Sequence, residues 1–119
     1  MEPLGPGRIF WAVPPGTRGE GKKRPMIAAT RVADIRRTGQ VLAVVCSTDF
    51  EPPPGPKEVL LPSEPEGKSV SRLRRPTVAV CDRTVFYPAE DIYETGGFIP
   101  GPLLRDICRR AGITLLPER

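Results

Sequence analysis

Apolar residues in this chain come in short runs, each closed by proline, glycine or charge. RIFWAV, Arg8 to Val13, is β-branched and aromatic and stops at Pro14-Pro15-Gly16. PMIAAT, Pro25 to Thr30, is a second strand, with proline tolerated because it opens the run. QVLAVVCST, Gln40 to Thr48, is the most apolar and predicts the central strand. KEVLLP, Lys57 to Pro62, predicts a fourth, and TVAVCDRTVFY, Thr77 to Tyr87, a fifth with a break near Asp82. Between the second and third strands the pattern marks only a spacer.

Helical periodicity is confined to the C-terminal end. In GPLLRDICRRAG, Pro102 stands at a favoured first-turn position and Gly112 is a stop. Leu103, Leu104, Ile107, Cys108 and Ala111 share a face, with Arg105, Asp106, Arg109 and Arg110 elsewhere. AEDIYE, Ala89 to Glu94, has room for a single helical turn. Sixteen prolines and twelve glycines among short strands point to a turn-rich, mainly β chain. The expected architecture is a small, twisted antiparallel barrel or half-barrel carrying one packed C-terminal α-helix. At 119 residues the chain is expected to form one domain, residues 1–119, with a modest core.

Charge changes the picture. The net charge of +4 favours anionic partners. Basic residues gather in four clusters: Lys22 to Arg24, Arg36 to Arg37, Arg72 to Arg75, and Arg109 to Arg110. Each taken singly reads as a solvated face; together, in so short a chain, they raise a nucleic-acid surface. The sequence has no histidine, which removes the common general acid–base group and the commonest neutral metal ligand. Cys46, Cys81 and Cys108 lie far apart among apolar neighbours and are expected to be reduced and buried. No cofactor or metal is expected. With no apolar run near the roughly 20 residues of a membrane span, and no signal-peptide pattern, the expected location is cytoplasmic.

Two places are candidates for chemistry. Pro25 fixes its own φ and pushes Arg24 away from helical backbone, which aims the guanidinium. Lys22 and Lys23 add positive field. A planar fork of five donors suits a phosphodiester and the charge that builds on it in a transition state. The plainer account has Arg24 capping the sheet edge and pairing with Glu20. The second place is Ser47-Thr48, at the end of the central strand, where a hydroxyl can serve a phosphate oxygen. Its plainer account is two strand-terminating residues satisfying nearby backbone.

GRIFWAV, a Gly/Glu-rich loop, KRPMIAAT, a spacer and VLAVVCST resemble, in that order, the MazF/PemK family of toxin endoribonucleases. Gly7, Trp11, Arg24, Pro25 and Ser47 fall on the positions that carry the resemblance. VAVCDRTVFYPAEDIYETGGFIPGPLLRDI resembles the family's final strand pair and closing helix more loosely. The chain departs from the family in Trp-Ala-Val-Pro-Pro after the first strand and in Asp49 after Thr48. The resemblance implies an SH3-like barrel that forms a homodimer, cleaves single-stranded RNA without metal, and is blocked by a cognate antitoxin. It places Arg24 as the catalytic arginine, Ser47 (or Thr48, one residue on) as the catalytic hydroxyl, and Glu20 in the loop where a glutamate is common.

Absence of histidine fits that chemistry, because RNA brings its own nucleophile, the 2′-hydroxyl. Arg24 and Ser47 or Thr48 would hold the phosphate while the 2′-oxygen attacks, leaving a 2′,3′-cyclic phosphate and a 5′-hydroxyl. Glu20, Asp49 or water would take the proton. Lys22, Lys23, Arg72, Arg74 and Arg75 extend the phosphate track, Phe50 is a stacking platform, and Trp11 reads as core or dimer interface. Three other readings share these features: a non-catalytic SH3-like module binding nucleic acid or protein, a gyrase-inhibiting toxin of the same fold, and an unrelated small assembly barrel.

Overall fold

The computed structural model describes residues 4–15 and 21–115. In chain order they form β1 (Arg8–Ala12), β2 (Arg24–Ala28), α1 (Val32–Thr38), β3 (Gln40–Ser47), β4 (Glu58–Leu60), β5 (Val78–Pro88), a 3-10 turn (Ala89–Asp91), β6 (Thr95–Phe98) and α2 (Gly101–Ala111). The strands make one six-stranded sheet in the order β4-β5-β3-β2-β1-β6. Every pairing is antiparallel. The architecture is the mainly β half-barrel with a packed C-terminal helix that the pattern predicted.

Both faces of the sheet are covered, which explains why β3 reads as an unbroken apolar run. On one face Ile9, Ile27, Val44 and Cys46 meet Leu104, Ile107 and Cys108 of α2. On the other, Phe10, Met26, Val41, Ala43 and Val45 pack with Ile35 of α1 and Ile92. All three cysteines are buried free thiols, as expected. The α2 face follows its sequence pattern, with Leu104, Ile107 and Cys108 buried and Leu103 and Ala111 against them. Gly112 ends the helix in the left-handed region at φ 73°.

Three details differ from the sequence pattern. The spacer after β2 contains α1, a two-turn helix ending at Gly39, in which only Ile35 is buried. One buried side chain leaves no apolar stripe to read. Residues 95–98 form β6 although two of the four are glycine. The break expected near Asp82 is a slip in register: β5 stays continuous while its pairing jumps from Val44↔Thr84 to Cys46↔Ala79. The turn at residues 89–91 forms as expected.

Two glycines seat the strands around the site. Gly7 opens β1 at φ 90°, hydrogen-bonded to Ala28 and to Ile99 at 2.8 Å each. A side chain there would be strained in conformation and pressed on the Ile99 carbonyl. Gly97 of β6 lies flat on the backbone of Val70 and Ser71, so a Cβ would collide with both. Among the described residues no helix is long and apolar enough to cross a membrane.

Candidate nucleic-acid interface

Arg24 is the first residue of β2 and pairs with Ala12 of β1. The β2–β3 ladder runs Ala28↔Ala43, Ile27↔Val44, Met26↔Val45. Two residues further in that register, Arg24 stands opposite Ser47, so alternation puts both side chains on one face. Pro25, between them and the ladder, has no N–H to extend it. The strand ends open on a cleft of about 210 Å³ lined by Trp11, Lys22, Lys23, Arg24, Pro25, Cys46, Ser47, Thr48 and Arg75.

Arg75 arrives from the segment before β5, and its delivery depends on tertiary packing. Ser71 and Leu73 are buried while Arg72, Arg74 and Arg75 are exposed. Val70 accepts from the Phe98 N–H at 2.9 Å, Leu73 accepts from the Glu64 N–H at 2.9 Å, and the Ser71 hydroxyl donates to the Pro62 carbonyl. The Leu73 N–H donates back to Ser71 Oγ at 3.1 Å. Between these anchors Arg72 holds φ 59°, a left-handed conformation costly for a residue with a side chain. A second hollow of about 320 Å³ lies here, lined by Trp11, Thr48, Arg72, Leu73, Arg74, Arg75, Thr77 and Glu94. It shares Trp11, Thr48 and Arg75 with the first, so the two are continuous.

The joint surface is cationic. Among the described lining residues Glu94 is the only carboxylate, and Lys23 Nζ donates to its Oε1 at 3.2 Å. Both side chains are more than half exposed, so the pair contributes under about 1 kcal/mol and exchanges readily for another partner. Ser47 Oγ accepts from the Asp49 N–H at 3.0 Å, and its hydroxyl donates to the Asp49 carbonyl at 3.4 Å, a long bond that a stronger acceptor can displace. Burial, with Cys81 as a second cause, pushes the Cys46 thiol far above its ordinary range. The cleft therefore offers hydroxyls and guanidinium rather than a thiolate. Among the described residues no three histidine, cysteine or carboxylate side chains converge to hold a metal ion.

Of the residues singled out in the sequence, Arg24, Ser47, Thr48, Lys22 and Lys23 share the first cleft, and Arg72, Arg74 and Arg75 wall the second. Phe50 is half-buried and lines neither hollow. Glu20 lies outside the described residues. Asp49 is exposed beside Ser47 and is not among the lining residues. Trp11, read as core or interface, packs partly against the core yet forms a wall of both hollows. Glu94 and Thr77 carried no sequence signal, since nothing local in YETGG or RPTVA marks a cleft.

The crystal structure of MazE–MazF from Deinococcus radiodurans matches with a TM-score of 0.70 over 92% of each chain, at 18% identity. The chain has the MazF fold. The Mycobacterium tuberculosis toxin MazF-mt6 matches at TM-score 0.64 and 20% identity over 89% of this chain and 92% of that one. A mycobacterial endoribonuclease in complex with its cognate antitoxin matches at TM-score 0.68 and 16% identity over 92% of each. No family model and no curated protein matches the sequence. On this MazF fold the first and third basic clusters meet at one end of β2 and β3, while the second and fourth lie on α1 and α2.

Proposed function

We propose that residues 1–119 form a single toxin domain, a metal-independent endoribonuclease of the MazF type that cleaves single-stranded RNA. The observation that supports it best is the placement of Arg24 opposite Ser47 in a cleft continuous with the Arg72–Arg75 wall. Arg24 would grip the non-bridging oxygens of the scissile phosphate, and Ser47, or Thr48 beside it, would donate to the same oxygens as charge builds. The 2′-oxygen attacks phosphorus, the P–O5′ bond breaks, and the products are a 2′,3′-cyclic phosphate and a 5′-hydroxyl. The 2′ proton passes to Glu20, Asp49 or water, and the departing 5′-oxygen takes one up. Lys22 and Lys23 steer the strand into the cleft, and Arg72, Arg74 and Arg75 hold the neighbouring phosphates. Fold likeness to a toxin crystallised with its antitoxin supports a cognate antitoxin as partner; the working form in this reading is a cytoplasmic homodimer.

The test is incubation with a mixed-sequence single-stranded RNA and its DNA counterpart in EDTA, beside Arg24→Ala. RNA should be cut to cyclic-phosphate ends and DNA left intact. Arg24→Ala should lose about 10² to 10³ in rate, as removal of one oxyanion donor does, with an unchanged melting temperature. Intact RNA, with salt-sensitive binding retained, would make the same cleft that of a non-catalytic nucleic-acid-binding module.

A further inference from the structure

Glu94 stands out in the second hollow because it opposes everything around it. A surface built only to grip phosphates gains nothing from a carboxylate, which repels them. Yet Glu94 faces a wall of arginines, with its Oε1 held by Lys23 at 3.2 Å and its second oxygen making no hydrogen bond among the described residues. Its backbone is fixed too, since the Trp11 N–H donates to the Glu94 carbonyl at 2.9 Å. The backbones of Trp11 and Glu94 are therefore tied together. Gly96 lies beside the Trp11 indole, where a Cβ would stand 3.4 Å from Trp11 Nε1. The hollow thus offers an aromatic wall, a carboxylate and guanidinium groups in about 320 Å³.

We propose that this hollow is a base-reading subsite that selects guanine in the RNA strand next to the scissile phosphate. The inference rests on the RNA reading of the cleft. Bases in single strands present their Watson–Crick edges and stack on aromatic side chains. Guanine puts two adjacent donors, N1–H and the N2 amine, on that edge, a match for the two oxygens of one carboxylate. Adenine, cytosine and uracil each place an acceptor beside their donor, and that acceptor would face the carboxylate. Guanine's remaining edge carries O6 and N7, both acceptors, which suit an arginine fork. Arg74 or Arg75 supplies that fork and Trp11 supplies the stacking face. Lys23 bridges the two hollows: when RNA enters, its ammonium moves from Glu94 to a phosphate in the adjoining cleft and frees both carboxylate oxygens.

The test reads binding, so it does not depend on cleavage. Deoxythymidine heptamers carrying one central dG, dA, dC or deoxyinosine are titrated by fluorescence anisotropy at fixed salt. The parent should bind the dG oligomer roughly tenfold more tightly than the dA or dC ones, within the range for one bidentate base contact. Deoxyinosine, which lacks only the N2 amine, should lose most of that preference. Glu94→Gln should abolish the discrimination and, by removing a charge that repels phosphate and holds Lys23, raise the all-thymidine affinity a few-fold, with an unchanged melting temperature. Lys23→Gln should weaken every oligomer and keep the guanine preference. Equal binding of the four bases, preference for a base other than guanine, or a guanine preference that survives Glu94→Gln would each overturn the subsite. A parent that prefers dG but cuts no RNA overturns the ribonuclease reading alone. One that cuts RNA with no base preference overturns the subsite alone.

Discussion

On the two helices, arginines are answered by acid within a turn of chain. Asp34 accepts from Arg31 and Arg37 at 3.2 Å each, and Asp106 accepts from Arg109 and Arg110. Arg36 and Arg37 also sit in the last turn of α1, and Arg109 and Arg110 in that of α2, where a cation meets the negative end of the helix dipole. At the cleft the arrangement differs. Lys22, Lys23, Arg24, Arg72, Arg74 and Arg75 come from segments some fifty residues apart, and among the described residues lining the two hollows the one carboxylate is Glu94. The same residue types thus do two jobs. Charges spaced three or four apart on a helix find local partners and finish the helix, whereas charges gathered by tertiary packing accumulate a field that an external polyanion can neutralise.

The contrast breaks most severely at Gly97. Gly97→Ala drives a methyl into the Val70 and Ser71 backbone, which anchors the arginine segment. It should cost about 3 kcal/mol in urea unfolding, the upper end for overpacking, and abolish RNA binding at the second hollow. The helical ion pairs, being local, should survive in any folded fraction. Next comes the double replacement Arg74→Ala, Arg75→Ala. It should lower RNA affinity roughly tenfold and reduce the salt slope by about 0.7 for each phosphate that is no longer neutralised, whereas Arg36→Ala with Arg37→Ala changes neither. Equal effects from the two doubles would erase the distinction.

The reverse effect belongs to Arg110, whose guanidinium bonds Asp106 at 3.2 Å and the Pro56 carbonyl at 2.7 Å. Arg110→Ala should cost about 1 kcal/mol of stability by chemical denaturation, with RNA affinity unchanged. The smallest expected effect is the pH dependence of the helical pairs. Hydrogen bonds from Arg37 and Arg31 hold the Asp34 carboxyl below its usual range, and those from Arg109 and Arg110 do the same for Asp106. Because the folded values are depressed, their stabilisation is present above the ordinary carboxylate value of 3.8 and is lost as pH falls through the folded ones. A melting series from pH 6 to pH 2 should show that loss, and Asp34→Asn with Asp106→Asn should flatten it.

How much of this was legible depends on how local each feature is. β1, β2 and β3 were readable because β-branched and aromatic runs are bounded by proline, glycine or charge, and α2 because three buried side chains recur at helical spacing. α1 was not, since Ile35 alone anchors it. β6 was not either: Thr95-Gly-Gly-Phe has little strand propensity and exists because β1 and the Val70–Ser71 backbone hydrogen-bond to it. Arg24 and Ser47 were marked by Pro25 and by the end of an apolar run, but their opposition was not.

The sequence by itself determined a mainly β chain with buried thiols, a C-terminal helix and a cationic loop held at a strand entrance by proline, because turn residues, periodicity and fixed φ act over a few neighbours. Only the tertiary structure decided that β2 and β3 pair in the register that faces Arg24 with Ser47. It alone brought Arg72–Arg75, Trp11 and Glu94 to the same place. The physical reason is that strand register and close backbone packing are set by interactions between distant segments, such as Gly97 on Ser71, whose energy no local stretch of chain contains.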